Sequence, residues 1–278
     1  MASARVVQLL CLGSVLLGLT TSGCSDKATY PKARLVESLR TLLADEHLSN
    51  PSIRFGEHTL AVQFDYPNAL LAGGSGVGPA FDDAIHKLLP AIHRVIFSTD
   101  ADVRFYALLL SDVKAPGVYF TMIRYVDDIR REMANMLDTP ESLSRTIFDL
   151  AYAGPKSTMT LEQDIPTDIR LEEFLSWQLA RRIQHQLSEE FQTAGTVQVG
   201  RCDGVFRQGE FAFTLNVLPG SDGPVDEATM RKAFQSSTSL IAKVLSSYQF
   251  KSFDSIRLIH PLSGRNLVLP KAHLEIFR

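Results

Sequence analysis

Tyr125-Val126-Asp127-Asp128 sets two adjacent carboxylates behind an aromatic residue, a pattern that could hold a pair of magnesium ions. The same carboxylates stand where a helix would begin, and favourable placement at its positive end accounts for them as well. The run Gly73-Gly74-Ser75-Gly76-Val77-Gly78 precedes a helical pattern, where free backbone N–H groups can take up an anion. It lacks the Lys-Ser/Thr ending of a phosphate loop and the spacing of a dinucleotide loop. Val77 also stands where a serine nucleophile elbow needs glycine. Asp82 and His86, four residues apart, offer two metal ligands and no third. His86 and His93 share a helix face but stand roughly 10.5 Å apart along its axis, too far for one ion. His185, with Arg181, Arg182, Glu189 and Glu190, has the look of an ion-paired solvated face. None of these groups supports a catalytic or metal assignment, so no catalytic residue and no metal is expected.

The polar pair that the sequence singles out is Arg104 and Arg257, through a weak internal repeat. Gly56-Glu57 and the alternating Leu60, Val62 and Phe64 match Gly209-Glu210 and Phe213, Leu215 and Val217, a constant shift of 153 positions. The same shift carries Ala80-Phe81 onto Ala233-Phe234, Leu88 onto Ile241, Ile92 onto Leu245, and Val103-Arg104-Phe105 onto Ile256-Arg257-Leu258. Either both arginines lie on the solvated sides of their sheets, or both point into a shared groove as speculative ligand-binding residues that grip an anion bidentately.

The elements that must position these residues follow from hydrophobic period. Leu35, Val36, Leu39, Leu42 and Leu43 mark a helix ahead of Pro51, and Ile53 to Phe55 with Thr59 to Phe64 mark a hairpin. Phe81, Ile85, Leu88, Leu89, Ile92 and Ile96 form the stripe of a second helix that Pro90 should kink. Strands are expected at Val103 to Leu110 and Val118 to Tyr125, and connecting helices at Asp127 to Leu137 and Pro140 to Ala153. A long helix with apolar positions from Leu171 to Phe191 opens the second half, and a further helix is expected from about Glu227 to Tyr248. Around it, strands are expected at Thr196 to Arg207, Phe211 to Leu218, Ile256 to His260 and Asn266 to Phe277. The fold class expected is α+β: two similar α-β-β-α-β-β modules, an internal duplication, each an antiparallel sheet with helices on one face. The first module is placed at 33–137, a connecting helix and linker at 138–169, and the second module at 170–278.

The N-terminus carries a different kind of chemistry. Arg5 precedes the apolar run Val6 to Leu19, and Thr20-Thr21-Ser22-Gly23-Cys24 follows. This is the three-part plan of a secretory signal peptide. An apolar helix of about 14 residues spans roughly 21 Å, short of the roughly 30 Å hydrocarbon core. The junction resembles a bacterial lipobox, with Thr21 where leucine is usual. That resemblance covers residues 1 to 24 and implies a signal peptide at 1–23 and a covalent lipid, palmitate included, on Cys24. It also implies a lipidated tether at 24–32 and, because Ser25 is not Asp, a periplasm-facing outer-membrane anchor in a Gram-negative host. An ordinary signal peptide leaving a soluble periplasmic protein is the alternative.

Composition bounds the rest. A formal charge of −3 and the lack of any basic cluster give no reason to expect nucleic acid. Of three cysteines, Cys11 would leave with the leader and Cys24 would carry lipid, so Cys202 stands alone, without a disulfide, and is expected in the core. Beyond the covalent lipid no cofactor is expected. The expected partners are the bilayer and a protein of the cell envelope that this chain holds or assembles. A ligand-binding lipoprotein using a groove between the modules, and an envelope hydrolase, remain open as alternatives.

Overall fold

The computed structural model describes residues 28–48, 50–154, 157–192, 197–220 and 225–274. The expected leader, Cys24 and its lipid, the first part of the tether and the expected strand end at 275–277 lie outside the described residues.

The first unit begins with α1 (Leu35–Asp45), which buries Leu35, Leu39 and Leu43 at the four-residue spacing of one helix face. The strands β1 (Ser52–Phe55) and β2 (Thr59–Asp65) form the expected hairpin. Helix α2 (Phe81–Ile96) carries Asp82 and Asp83 in its first turn and His93 and Arg94 in its last, matching the helix dipole at both ends. It crosses over to β3 (Phe105–Ser111), which returns parallel to β2, and β4 (Val118–Tyr125) runs antiparallel to β3. The short helices α3 (Val126–Met133) and α4 (Thr139–Arg145) follow. Asp138 caps α4 by accepting from the Glu141 backbone N–H at 2.8 Å. Strand β5 (Ile147–Tyr152) then completes a sheet of order β1-β2-β3-β4-β5.

The second unit is entered through a single turn, α5 (Leu161–Asp164), and the long α6 (Leu171–Gln192). Two short strands, β6 (Val197–Val199) and β9 (Val217–Pro219), pair with each other. The main sheet uses β7 (Asp203–Arg207), β8 (Glu210–Thr214), β10 (Ser255–His260) and β11 (Arg265–Pro270) in the order β11-β10-β8-β7. Helix α7 (Glu227–Ser247) makes the crossover between β8 and β10, which lie parallel, and α8 (Lys271–Leu274) closes the described chain.

The fold is therefore α+β, with four corrections to the sequence expectation. Neither main sheet is purely antiparallel, because a strand–helix–strand crossover returns the chain in its original direction beside the first strand. The helix expected from Pro140 to Ala153 stops at Arg145 and turns into β5, where Thr146-Ile147-Phe148 brings β-branched and aromatic residues together. The linker expected in the later part of 138–169 is in its described residues packed against the first sheet: Leu161 and Ile165 are buried, and Arg54 donates to the carbonyls of Leu161, Ile165 and Pro166. Finally, Arg104 and Arg257 are not equivalent. Leu60 pairs with Tyr106, and Phe213 with Leu258, so matching Leu60 to Phe213 sets Arg104 against Ile256 and Phe105 against Arg257. A one-residue slip in a strand exchanges its faces.

Strands β2 and β3 are covered on both sides, which is why they read as unbroken apolar runs. Leu60, Val62, Tyr106 and Leu108 face α1 and α2 in one core. Ala61, Phe105, Ala107 and Leu109 belong to a second core, together with Phe174 and Leu179 of α6 and with Phe211, Phe213, Ile256 and Leu258 of the other sheet. Helix α6 thus packs between the two sheets, and the units share this second core.

Candidate functional site: a cleft between the two sheets

The apolar stripe of α6 buries Phe174, Leu175, Leu179, Ile183 and Leu187, and this fixes the rotation of the helix. Residues just off that stripe, Trp177, Ala180 and Arg181, line a cleft of about 420 Å³. Thr121 and Ile123 of β4 and Ile147 and Asp149 of β5 form one wall. The stretch from Arg201 to Val205 forms another, and Met159, Asp164, Ile165 and Pro166 form a third. The volume is within the range of small-molecule sites, and the lining is mixed, apolar side chains standing beside the charged Asp149, Asp164, Arg181, Arg201 and Asp203.

Each wall is held in place. On the β7 side, Gly204 lies so close to α6 that a Cβ there would stand 2.2 Å from the Ser176 carbonyl oxygen. Only glycine permits that approach. On the linker side, the Asp168 carboxylate accepts the backbone N–H groups of His58 and Thr59, at 2.8 and 3.2 Å. Burial works against that charge, but the N–H bonds, from Glu57 as well, hold its pKa below the usual carboxylate value. The Ile169 N–H completes the attachment by donating to the Thr59 hydroxyl at 2.8 Å.

The polar groups of the cleft form a chain of alternating charge. Arg181 meets Asp149 at 2.8 Å, Arg201 reaches the same carboxylate at 3.9 Å, and Arg201 Nε donates to Asp203 at 3.2 Å. Trp177, the single tryptophan of the chain, is partly buried beside them. Cys202 is buried as expected, and that burial pushes its thiol up to about 11, which leaves it unreactive as a nucleophile.

A buried polar network ties the units together. Arg145 and Asp128, with side chains 4 and 5 % exposed, pair at 2.9 Å. The Tyr248 hydroxyl donates to the other Asp128 oxygen at 2.6 Å and accepts from Gln178 Nε2 at 2.8 Å. The Arg145 guanidinium lies over the Tyr248 ring at 4.6 Å and also reaches Glu141 at 3.0 Å. Helices α3, α4, α6 and α7 meet in this cluster.

The residues singled out from sequence lie elsewhere. Arg104 is paired with Asp102 at 2.8 Å on the surface, and Arg257 is forked onto Glu210 at 2.9 and 3.0 Å. Neither lines the cleft. Asp127 is exposed and faces Arg130, whereas Asp128 is buried against Arg145, so the adjacent carboxylates do not converge on an ion. Gly73 and Gly74 adopt left-handed backbone in a tight connection, which explains the glycine run. Asp82 and His86 are exposed, and His185 stands 3.6 Å from Glu189 on a solvated helix face. Among the described residues no group of three potential metal ligands is present, and no helix is long and apolar enough to cross a membrane.

Sequence reasoning missed Trp177, Arg201 and Asp149, and read Arg181 as part of a solvated face, whereas it is partly buried against Asp149 in the cleft. One signal was available: Trp177 and Arg181 stand four apart on the flank of the apolar stripe, where the helix leaves one core surface and meets a second. Comparison with known proteins adds nothing to this geometry, since no family model, no curated protein and no solved structure matches the chain.

Proposed function

We propose that this chain is an envelope lipoprotein, tethered through a lipid on Cys24, whose folded body binds an amphipathic small ligand in the cleft between its two sheets. The observation that carries the reading is the cleft itself: about 420 Å³, with a mixed apolar and charged lining in which Arg181 and Arg201 are at hand for polar groups. The tether rests on the leader-like segment ending at Cys24. We further propose that the units arose by duplication, in support of which four strands of each main sheet pair in the same antiparallel, parallel, antiparallel succession around one crossover helix, with β5 added at the edge of the first.

Because Trp177 is the chain's single tryptophan and lines the cleft, it reports on occupancy. In the unlipidated Cys24→Ala chain, N-phenylnaphthylamine bound in the cleft accepts energy from Trp177, and Ala180→Phe, which fills the floor, abolishes the transfer. Probe binding that Ala180→Phe leaves unchanged contradicts the proposal. The tether has its own test: Cys24→Ala ends incorporation of labelled palmitate and releases the protein from membranes, and retention of both refutes it.

A further inference from the structure

The two main sheets have four outer edges, and three of them are guarded. Strand β1 begins after Pro51 and has the 161–166 segment held against it by Arg54. Strand β7 lies against α6, with the Ser176 hydroxyl 3.4 Å from the Gly204 carbonyl. Strand β11 carries Arg265 at one end and Pro270 at the other, devices that discourage strand addition. Strand β5 lacks these devices along its length, and only at its end, where Gly74 lies close beside Tyr152, does another segment approach it. Its sequence, Ile147-Phe148-Asp149-Leu150-Ala151-Tyr152, contains no proline or basic residue, and Phe148 and Tyr152 are 42 and 53 % exposed.

The register shows which backbone groups of β5 are free. Tyr152 lies opposite Val118, and Ala153 donates to the Gly117 carbonyl at 2.8 Å. In an antiparallel ladder the hydrogen-bonded pairs alternate, so Ile147, Asp149 and Ala151 turn their amides toward β4, and Phe148, Leu150 and Tyr152 turn theirs outward. Among the described residues nothing bonds to those outward groups.

We infer that β5 pairs with β5 of a second copy, antiparallel about a twofold axis through Leu150, joining the two five-stranded sheets into one. The segment is self-complementary in that register. Phe148 falls opposite Tyr152 of the other copy, Leu150 opposite Leu150, and Asp149 opposite Ala151, so aromatic pairs form and no like charges stand directly opposite each other. All three outward positions fall in hydrogen-bonded pairs, as an isologous interface requires. The inference is independent of what occupies the cleft.

The test is oxidative cross-linking of the full chain in its own membranes. In this register the Leu150 Cα atoms stand about 5.5 Å apart, within the span of a disulfide. Leu150→Cys yields a covalent dimer, and Val268→Cys on the guarded β11 edge gives no more than the wild-type background. Adding Tyr152→Pro, which deletes an outward N–H and leaves the β4 ladder intact, cuts the yield about tenfold. Adding Tyr152→Ala, which removes the ring but keeps that N–H, lowers the yield less than Tyr152→Pro does. Cross-linking of Leu150→Cys no greater than that of Val268→Cys, or undiminished by Tyr152→Pro, overturns the inference.

Discussion

Removing one member of the Asp128–Arg145 pair measures how strongly the two units are clamped. Both side chains are about 5 % exposed or less, and the pair is completed by Tyr248, Gln178 and Glu141. Breaking a buried ion pair from one side costs about 3–5 kcal/mol, because the remaining charge stays buried. The two halves of the pair differ in what is left behind. Asp128→Ala leaves Arg145 with Glu141 at 3.0 Å, so its cost falls at the lower end, about 3 kcal/mol. Arg145→Ala leaves the Asp128 carboxylate with only the Tyr248 hydroxyl and also removes the guanidinium from the Tyr248 ring, so about 4–5 kcal/mol is expected. Urea unfolding followed by Trp177 emission reads both, and at about 2–4 °C per kcal/mol the melting temperature falls by roughly 10 °C. The double variant costs less than the sum of the singles by more than about 1 kcal/mol. Single costs below about 1 kcal/mol, or simple additivity, refute the clamp. Because the cluster joins helices of both units, the same variants loosen the cleft and weaken probe binding.

Three further outcomes follow from particular residues. Burial, reinforced by the nearby Arg124 charge, depresses His93 to about 4, so the folded state resists a proton that the unfolded chain accepts near pH 6.5. Stability is complete above about pH 6.5 and declines by roughly 1–3 kcal/mol as pH falls toward 4, a slope that His93→Gln flattens in acid-titrated melts. Gly204→Ala drives a Cβ to 2.2 Å from the Ser176 carbonyl oxygen and lowers stability by about 2 kcal/mol or more, with wild-type stability as the refuting result. Cys202, buried and with its thiol pushed up to about 11, reacts with maleimide about a hundredfold slower in the folded protein than in urea, as mass spectrometry with time reads directly.

Period and punctuation made most elements legible: the β1–β2 hairpin, the stripe of α2, the long α6, the crossover helix α7 and their order. Strand β5 was hidden because its length, about two helical turns if helical, follows Thr139-Pro140, a true helix start, and nothing in local sequence marks the change of state at Thr146. Parallel pairing was not legible either. It follows from the crossovers once each is known to return beside its own starting strand, which is a tertiary fact. The error over Arg104 and Arg257 has a sharper cause. A constant sequence shift assumes equal lengths between equivalent strands, and one residue of difference exchanges the faces. A groove between the modules was expected, but its lining was not legible, because the residues come from five separated stretches, between Thr121 and Val205, that only the packing of α6 between two sheets brings together.

Binding in that cleft is tested most directly by native mass spectrometry of the lipoprotein purified from its own membranes, wild type beside Ala180→Phe. The expected result is a discrete mass increment on the wild-type protein that collisional activation releases as one small amphipathic species, absent from Ala180→Phe that remains folded by circular dichroism. The contrary result is the same increment on both proteins, or none on either while the cleft stays open to N-phenylnaphthylamine.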